Sequence, residues 1–196
     1  MSTSMSREEL VEWSTSTVAF YGLELHRLST VLLAQCFAMQ ARRIFSVFDL
    51  VHPIKVLEGL VASDGTSAET QFKYPPLRGL YKKHFTSARF IPKNIHNFLG
   101  SKNGKRHFEK VWDEAVLKSG TGIVDEIFIR HLVHHVTIDP IQIKSGDNSM
   151  TGEWVVFHKH AGKNYYLTLA AHSESNDDIH RRVILAIQFD GLPFQI

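Results

Sequence analysis

The sequence predicts an α+β protein in which a helical N-terminal half packs on a small C-terminal antiparallel sheet with a final helix. Two observations lead to this class. Apolar residues recur at spacings of three and four through much of residues 1–122, as on the buried face of a helix. From Thr151 onward, β-branched and aromatic residues instead flank a short glycine turn, a pattern typical of strands.

Six helices are predicted in the first region. Their ends are marked by glycine, proline or polar residues, and a proline at position 53 suits the first turn of the third. The predicted helices cover residues 8–22, 28–48, 54–61, 77–84, 91–99 and 107–118, with a polar loop at 63–70.

The second region begins with a predicted helix over 124–136 and a polar crossover around Pro140 and Gly146. A hairpin follows over 153–171, and then a final helix over 179–188, for which a strand over 183–189 is the alternative. We therefore expect a mainly helical region 1–122 and an α+β region 123–196, which form either two domains or one continuous domain.

Composition excludes several classes of protein. The chain is 43% hydrophobic and 21% charged, which is ordinary for a globular protein and too apolar for disorder. A single cysteine, Cys36, cannot form an internal disulfide, and its apolar surroundings favour core packing over nucleophilic catalysis. No apolar stretch is long enough for a membrane span and the N-terminus does not resemble a signal peptide, so we expect a cytoplasmic protein without membrane contact.

The positive charge is concentrated in the middle of the chain. Residues 70–110 contain ten Lys or Arg but one acid, Glu109, and aromatic residues are interleaved with them. Clustered cations favour a polyanion because binding releases its counterions, and aromatic rings stack on unpaired bases. The basic segment 70–110 therefore predicts an RNA partner. The alternative is a solvated basic face whose aromatics point into the core. The candidate nucleic-acid-binding residues are Arg78, Lys82, Lys83, Arg89, Lys93, Lys163 and Arg181.

The hairpin carries a candidate acid–base site. Because side chains alternate along a strand, one face of the hairpin is mostly apolar and the other holds several polar side chains. Metal-independent RNA cleavage needs a base for the 2′-hydroxyl proton, an acid for the leaving oxygen and fixed positive charge. The polar face offers these groups, although a solvated polar face without chemistry is the alternative. The candidate catalytic residues are His172, Glu153, Lys159 and Tyr166, with His84 from the helical half completing the site.

The run from Gly152 to Leu169, followed by His172 and a helix, resembles the sheet of the barnase, EndoU, colicin and RelE group of metal-independent ribonucleases. The resemblance covers at most residues 123–196. It implies an antiparallel sheet packed on preceding helices, an open face that cleaves RNA, no cofactor, and a toxin opposed by an antitoxin or immunity protein.

Three alternatives remain open. Arg130 and His135 match the R-x4-H pattern of helical HEPN ribonucleases, a short pattern in a chain with many histidines. A non-enzymatic nucleic-acid- or partner-binding module would use the basic segment alone. A metal site at His158 and His160 is the least favoured, because these residues fall on the apolar face and no third ligand is evident.

Overall fold

The computed structural model describes residues 5–63, 66–87, 90–120, 124–147 and 152–196. It has α+β architecture with a four-stranded antiparallel sheet, as the sequence predicts: most helices come before the C-terminal hairpin of that sheet, and one helix follows it. The chain divides into two compact units. The first comprises residues 1–63, 68–87 and 152–196, and the second comprises 64–67 and 88–151. The units therefore do not follow a division at residue 122.

The sheet belongs to the first unit and has the order β1-β2-β3-β4. Its strands are β1 (Thr70–Gln71), β2 (Tyr81–Phe85), β3 (Glu153–His160) and β4 (Lys163–Ala170). The predicted hairpin is confirmed as β3 and β4, whose two-residue turn has positive φ at both Ala161 and Gly162. Such a turn matches the right-handed twist of the strands and fixes their register.

Helices α1 (Arg7–Ser16), α2 (Thr30–Ala41), α3 (Val47–Leu57) and α8 (Asn176–Asp190) complete this unit, and α2, α3 and α8 pack on the strands. Both faces of the sheet are covered at its centre. Val155 and Val156 are neighbours on β3, so they point to opposite faces, and each is 0% exposed. The expectation of an open sheet face is therefore wrong, because helices from both ends of the chain cover it.

Two other expectations for this unit are wrong. Residues 81–84, predicted as the end of a helix, lie in β2, where the backbone pairs with β3 from a distant part of the sequence. The helix predicted over 28–48 ends at Ala41, since Arg43 adopts a positive φ of 53°, and α3 starts afresh at Val47 with Ser46 as its cap. Pro53 consequently lies inside α3.

The second unit consists of helices α4 (Ile91–Leu99), α5 (Lys102–Ser119), α6 (Glu126–Thr137) and α7 (Asp139–Gly146). The first three confirm predicted helices, with α5 beginning five residues earlier than expected. The polar crossover predicted around Pro140 is wrong, because residues 139–146 are helical. Across the described ranges, no helix combines the length and apolar character needed to span a membrane.

Candidate active site

The main grouping of predicted site residues lies at one end of the sheet in the first unit. His84 on β2 pairs with Trp154 on β3, which pairs with Ala170 on β4. His172 follows two positions after Ala170. The rings of His84 and His172 lie nearly parallel, with centroids 5.2 Å apart. The fold therefore brings together two predicted catalytic histidines from distant parts of the sequence.

One backbone carbonyl binds both rings. The oxygen of Gly152 lies 2.9 Å from Nδ1 of His84 and 2.6 Å from Nε2 of His172. Because a carbonyl oxygen only accepts hydrogen bonds, each histidine must donate from the nitrogen that faces it. In the neutral rings the lone pairs then lie on Nε2 of His84 and Nδ1 of His172. The site thus holds two proton acceptors in defined tautomers.

Gly152 can hold this position because it lacks a side chain. A Cβ atom built there would lie 1.7 Å from the carbonyl oxygen of Phe85, so no other residue fits the close approach of the two backbones. Gly152 is not among the predicted site residues. A glycine directly before a predicted strand is the signal that indicates such a close backbone approach.

The surroundings of His84 favour its neutral form. Burial lowers the pKa of His84, and the positive charges of His172, Lys82 and Lys83 lower it further, while the hydrogen bond to Gly152 opposes these effects. A histidine with a lowered pKa is deprotonated over a wider range around neutral pH. His84 is therefore suited to accept a proton.

A cation and an aromatic ring adjoin the histidines. Nζ of Lys82 lies 3.8 Å from the centroid of the Trp154 ring, which itself lies 4.2 Å from the ring centroid of His172. Burial lowers the pKa of Lys82, while the ring face of Trp154 attracts its ammonium group. Lys82 and His84 are two positions apart on β2 and share a sheet face. The role of Trp154 was missed, because its alternation with Val156 assigned it to the core.

Glu153 supports this site through the backbone. Its Oε2 accepts a hydrogen bond from the backbone N–H of His172 at 2.5 Å. This contact joins the start of β3 to the segment after β4, and so helps to set where the His172 ring lies.

Tyr166, another predicted catalytic residue, belongs to a buried network elsewhere in the unit. It is 1% exposed, and its hydroxyl donates to Oε1 of Glu58 at 2.5 Å. Arg27 and Asn164 also donate to the Glu58 carboxylate. Burial would raise the pKa of Glu58, but these hydrogen bonds together lower it, and the pKa of Tyr166 is raised by burial and by Glu58. This arrangement connects α3 to β4.

The remaining predicted side chains are spread over the molecule. Lys159 pairs with Glu69, Lys163 with Glu24, and Arg181 with Asp178. These carboxylates already neutralise the three cations, which reduces their attraction for phosphate.

One predicted phosphate-binding residue, Lys83, is too deeply buried to bind a phosphate. Lys83 is 3% exposed and points to the face of β2 opposite to Lys82 and His84, which leaves no surface for a phosphate. Arg78, before β2, and Lys93, in the first turn of α4, are exposed. Arg89 lies outside the described residues.

The second unit contains a separate cavity of about 480 Å³. Arg130 and His135, the two residues of the R-x4-H pattern, both line it, together with Lys118 and His131. Nδ1 of His135 lies 2.8 Å from Oδ2 of Asp139, so the ring donates there and its Nε2 carries the lone pair in the neutral form. Arg130 forms an ion pair with Glu126.

The histidines of the predicted metal site and Cys36 pack within the structure. His158 and His160 pack against Phe194, with ring centroids 4.4 and 5.5 Å apart. Among the residues that the structure describes, no cluster of three or more His, Cys, Asp or Glu side chains has the arrangement of a metal site. Cys36 is buried, as predicted, and burial raises the pKa of its thiol to about 12. The thiolate needed for nucleophilic catalysis is therefore disfavoured.

The chain matches no family model, no curated protein and no solved structure with which it was compared.

Proposed function

We propose that this protein is a small metal-independent endoribonuclease that cleaves single-stranded RNA at the His84–His172 site. The observation that carries the proposal is the shared Gly152 carbonyl, which orients both imidazoles and leaves Nε2 of His84 and Nδ1 of His172 as the nitrogens that exchange protons. Paired histidines next to a cation supply the three requirements of this chemistry: a base, an acid and positive charge.

His84 acts as the base in this proposal. Its Nε2 takes the proton of a ribose 2′-hydroxyl, whose oxygen then forms a bond to the adjacent phosphorus. The bond from phosphorus to the 5′-oxygen breaks, and a protonated His172 donates from Nδ1 to that leaving oxygen. The products are a 2′,3′-cyclic phosphate and a free 5′-hydroxyl. Lys82 contributes positive charge near the phosphate, where it offsets the developing negative charge.

The test uses purified protein, single-stranded RNA and excess EDTA. Removal of a general acid or a general base typically lowers the rate of a reaction by about 10²–10⁴-fold. We therefore expect His84→Ala and His172→Ala each to reduce cleavage by about that factor. His26→Ala, which removes an exposed histidine in the same unit, is the control and should cleave normally. Full cleavage by both site variants would reject the proposal, and RNA binding without cleavage would favour a binding module.

A second candidate function is a HEPN-like ribonuclease that uses Arg130 and His135. It is favoured by one observation: both residues line the same cavity, where Asp139 orients the His135 ring. In the same assay, loss of cleavage in His135→Ala and Arg130→Ala with full activity in His84→Ala would select this site.

The biological role we propose is that of a toxin held in check by an antitoxin or immunity protein. The support for this role is the resemblance of the hairpin region to a group of ribonucleases that are commonly toxins with such a partner. Expression should therefore arrest growth of a host, and the His172→Ala variant should not.

A further inference from the structure

Helix α5 presents two aromatic side chains to solvent. Phe108 and Trp112 are one helical turn apart and are 36% and 43% exposed, with ring centroids 6.1 Å apart. Trp112 also makes an edge-to-face contact with the buried ring of Phe128, at 5.0 Å between centroids. This contact holds the indole in place while leaving nearly half of it uncovered, so the ring is ordered before any partner binds.

Cations occupy the turns of α5 that precede these rings. Lys102, Lys105 and Arg106 are exposed, and no carboxylate of the described residues lies within ion-pair distance of them. Lys102 and Lys105 fall in the N-terminal part of the helix, where the helix dipole disfavours positive charge, and the first turn has no acidic residue. By contrast, α8 carries Asp177 and Asp178 in its first turn. The charges on α5 thus oppose the stability of the helix, while they favour an anionic partner.

The geometry points to the Lys105–Phe108–Trp112 surface of α5 as a docking site for single-stranded nucleic acid, separate from the His84–His172 site. Lys105 lies three residues before Phe108, about 4.5 Å along the helix axis. A strand lying along α5 would place phosphates near Lys102 and Lys105, which are one helical turn apart, and unpaired bases on Phe108 and Trp112. Base-paired nucleic acid offers no free base face to these rings, so the surface should prefer single strands. Glu109, the one acid among residues 102–110, lies four residues after Lys105 and so is on the same side of α5.

The inference rests on the proposed function only for the choice of a nucleic acid as the polyanion. The experiment therefore measures binding of a fluorescein-labelled thymidine oligonucleotide of about twelve residues, which suits the usual length of such sites. DNA has no 2′-hydroxyl and cannot be cleaved by the proposed chemistry. A protein that does not bind this oligonucleotide can therefore still cleave RNA, and a protein that does not cleave RNA can still bind the oligonucleotide.

Trp112→Leu keeps an apolar contact with Phe128 but removes the ring. Because base–aromatic stacking contributes about 1–3 kcal/mol per base, we expect Kd to rise at least about five-fold. Trp112→Phe, which retains a ring, should recover most of the affinity and guards against a folding defect. Phe48→Leu removes an exposed aromatic ring from α3 in the other unit and should leave Kd unchanged.

The double variant Lys102→Ala/Lys105→Ala tests the phosphate contacts. Loss of two contacts should lower the slope of log affinity against log salt by about 1.4. Arg42→Ala/Lys55→Ala removes the same charge from the first unit and should keep the slope of the wild-type protein. Unchanged binding in both α5 variants, or equal affinity for a duplex of the same length, would overturn the proposal; the former result would leave this surface to a protein partner.

Discussion

His84 links the proposed chemistry to the stability of the sheet. Its pKa is lowered in the folded state, chiefly by burial, whereas in the unfolded chain it has the ordinary value for histidine. The unfolded state therefore binds a proton first as the pH falls. By linkage, the contribution of His84 to the free energy of unfolding is fully present above the unfolded pKa and is lost as the pH falls through the folded pKa.

We expect His84→Asn to weaken this pH dependence, because asparagine does not titrate and its amide retains a donor for the Gly152 carbonyl. Urea unfolding followed by circular dichroism between about pH 8 and about pH 5 measures the effect. The wild-type protein should lose more stability than the variant over this interval. His158, whose pKa burial also lowers, is present in both proteins and contributes equally. Identical pH profiles would show that the pKa of His84 is the same in the folded and the unfolded protein.

Among the elements, β4 is fixed to α3 by the Tyr166–Glu58 contact, and this gives Tyr166 a structural role. Tyr166→Phe removes the hydroxyl that donates to the Glu58 carboxylate. Since a hydrogen bond to a charged group contributes about 1.5–3 kcal/mol, the free energy of unfolding should fall by about that amount. RNA cleavage should be retained at a temperature well below the unfolding transition.

Tyr165→Phe is the matched control for this variant. The Tyr165 ring packs on Phe194 on the other face of β4, so loss of its hydroxyl should change stability much less. A Tyr166→Phe protein that is as stable as wild type but no longer cleaves RNA would instead place Tyr166 in the chemistry.

The same elements show how far the sequence alone could go. The β3–β4 hairpin could be predicted because its alternation and its Ala161-Gly162 turn are local. Strand β2 could not be predicted, because two of its five residues are lysines and only pairing with β3, which is distant in sequence, makes this segment a strand. Likewise, the polar atoms of Tyr166 and Thr168 suggest a solvated face, yet Glu58 and Gln35 from preceding helices satisfy them in the interior.

The candidate site was predictable only in part. His84 and His172 were selected for their chemistry, and the strand order then places them side by side. Gly152, which orients both rings, carries no polar side chain, so a search for reactive groups passes over it. The role of this backbone carbonyl depends on the register of β2, β3 and β4, which the sequence alone does not give.

For the molecule as a whole, the connectivity makes residues 88–151, which are all of the second unit except 64–67, an insertion in the first. The chain leaves the first unit after Ser87 and returns at Gly152, and Phe85 and Glu153 are paired neighbours on adjacent strands. Insertions of this kind, with chain ends close together, are typical of units that fold independently. The basic segment 70–110 is thus divided: Lys82 lies in the first unit, and the exposed cations of α4 and α5 lie in the second.

Replacement of residues 90–150 by a short Gly/Ser linker should therefore leave the first unit folded. The linker would join β2 to β3 as a hairpin, and the cost of closing so short a loop is small. Circular dichroism and thermal unfolding should show a cooperative transition, and the shortened protein should still cleave single-stranded RNA in EDTA, with that activity abolished by His84→Ala. Affinity for the thymidine oligonucleotide should fall, because α5 is absent. A shortened protein that unfolds cooperatively but no longer cleaves would move the active site to the Arg130–His135 cavity, and one that does not fold would show that the sheet depends on the second unit.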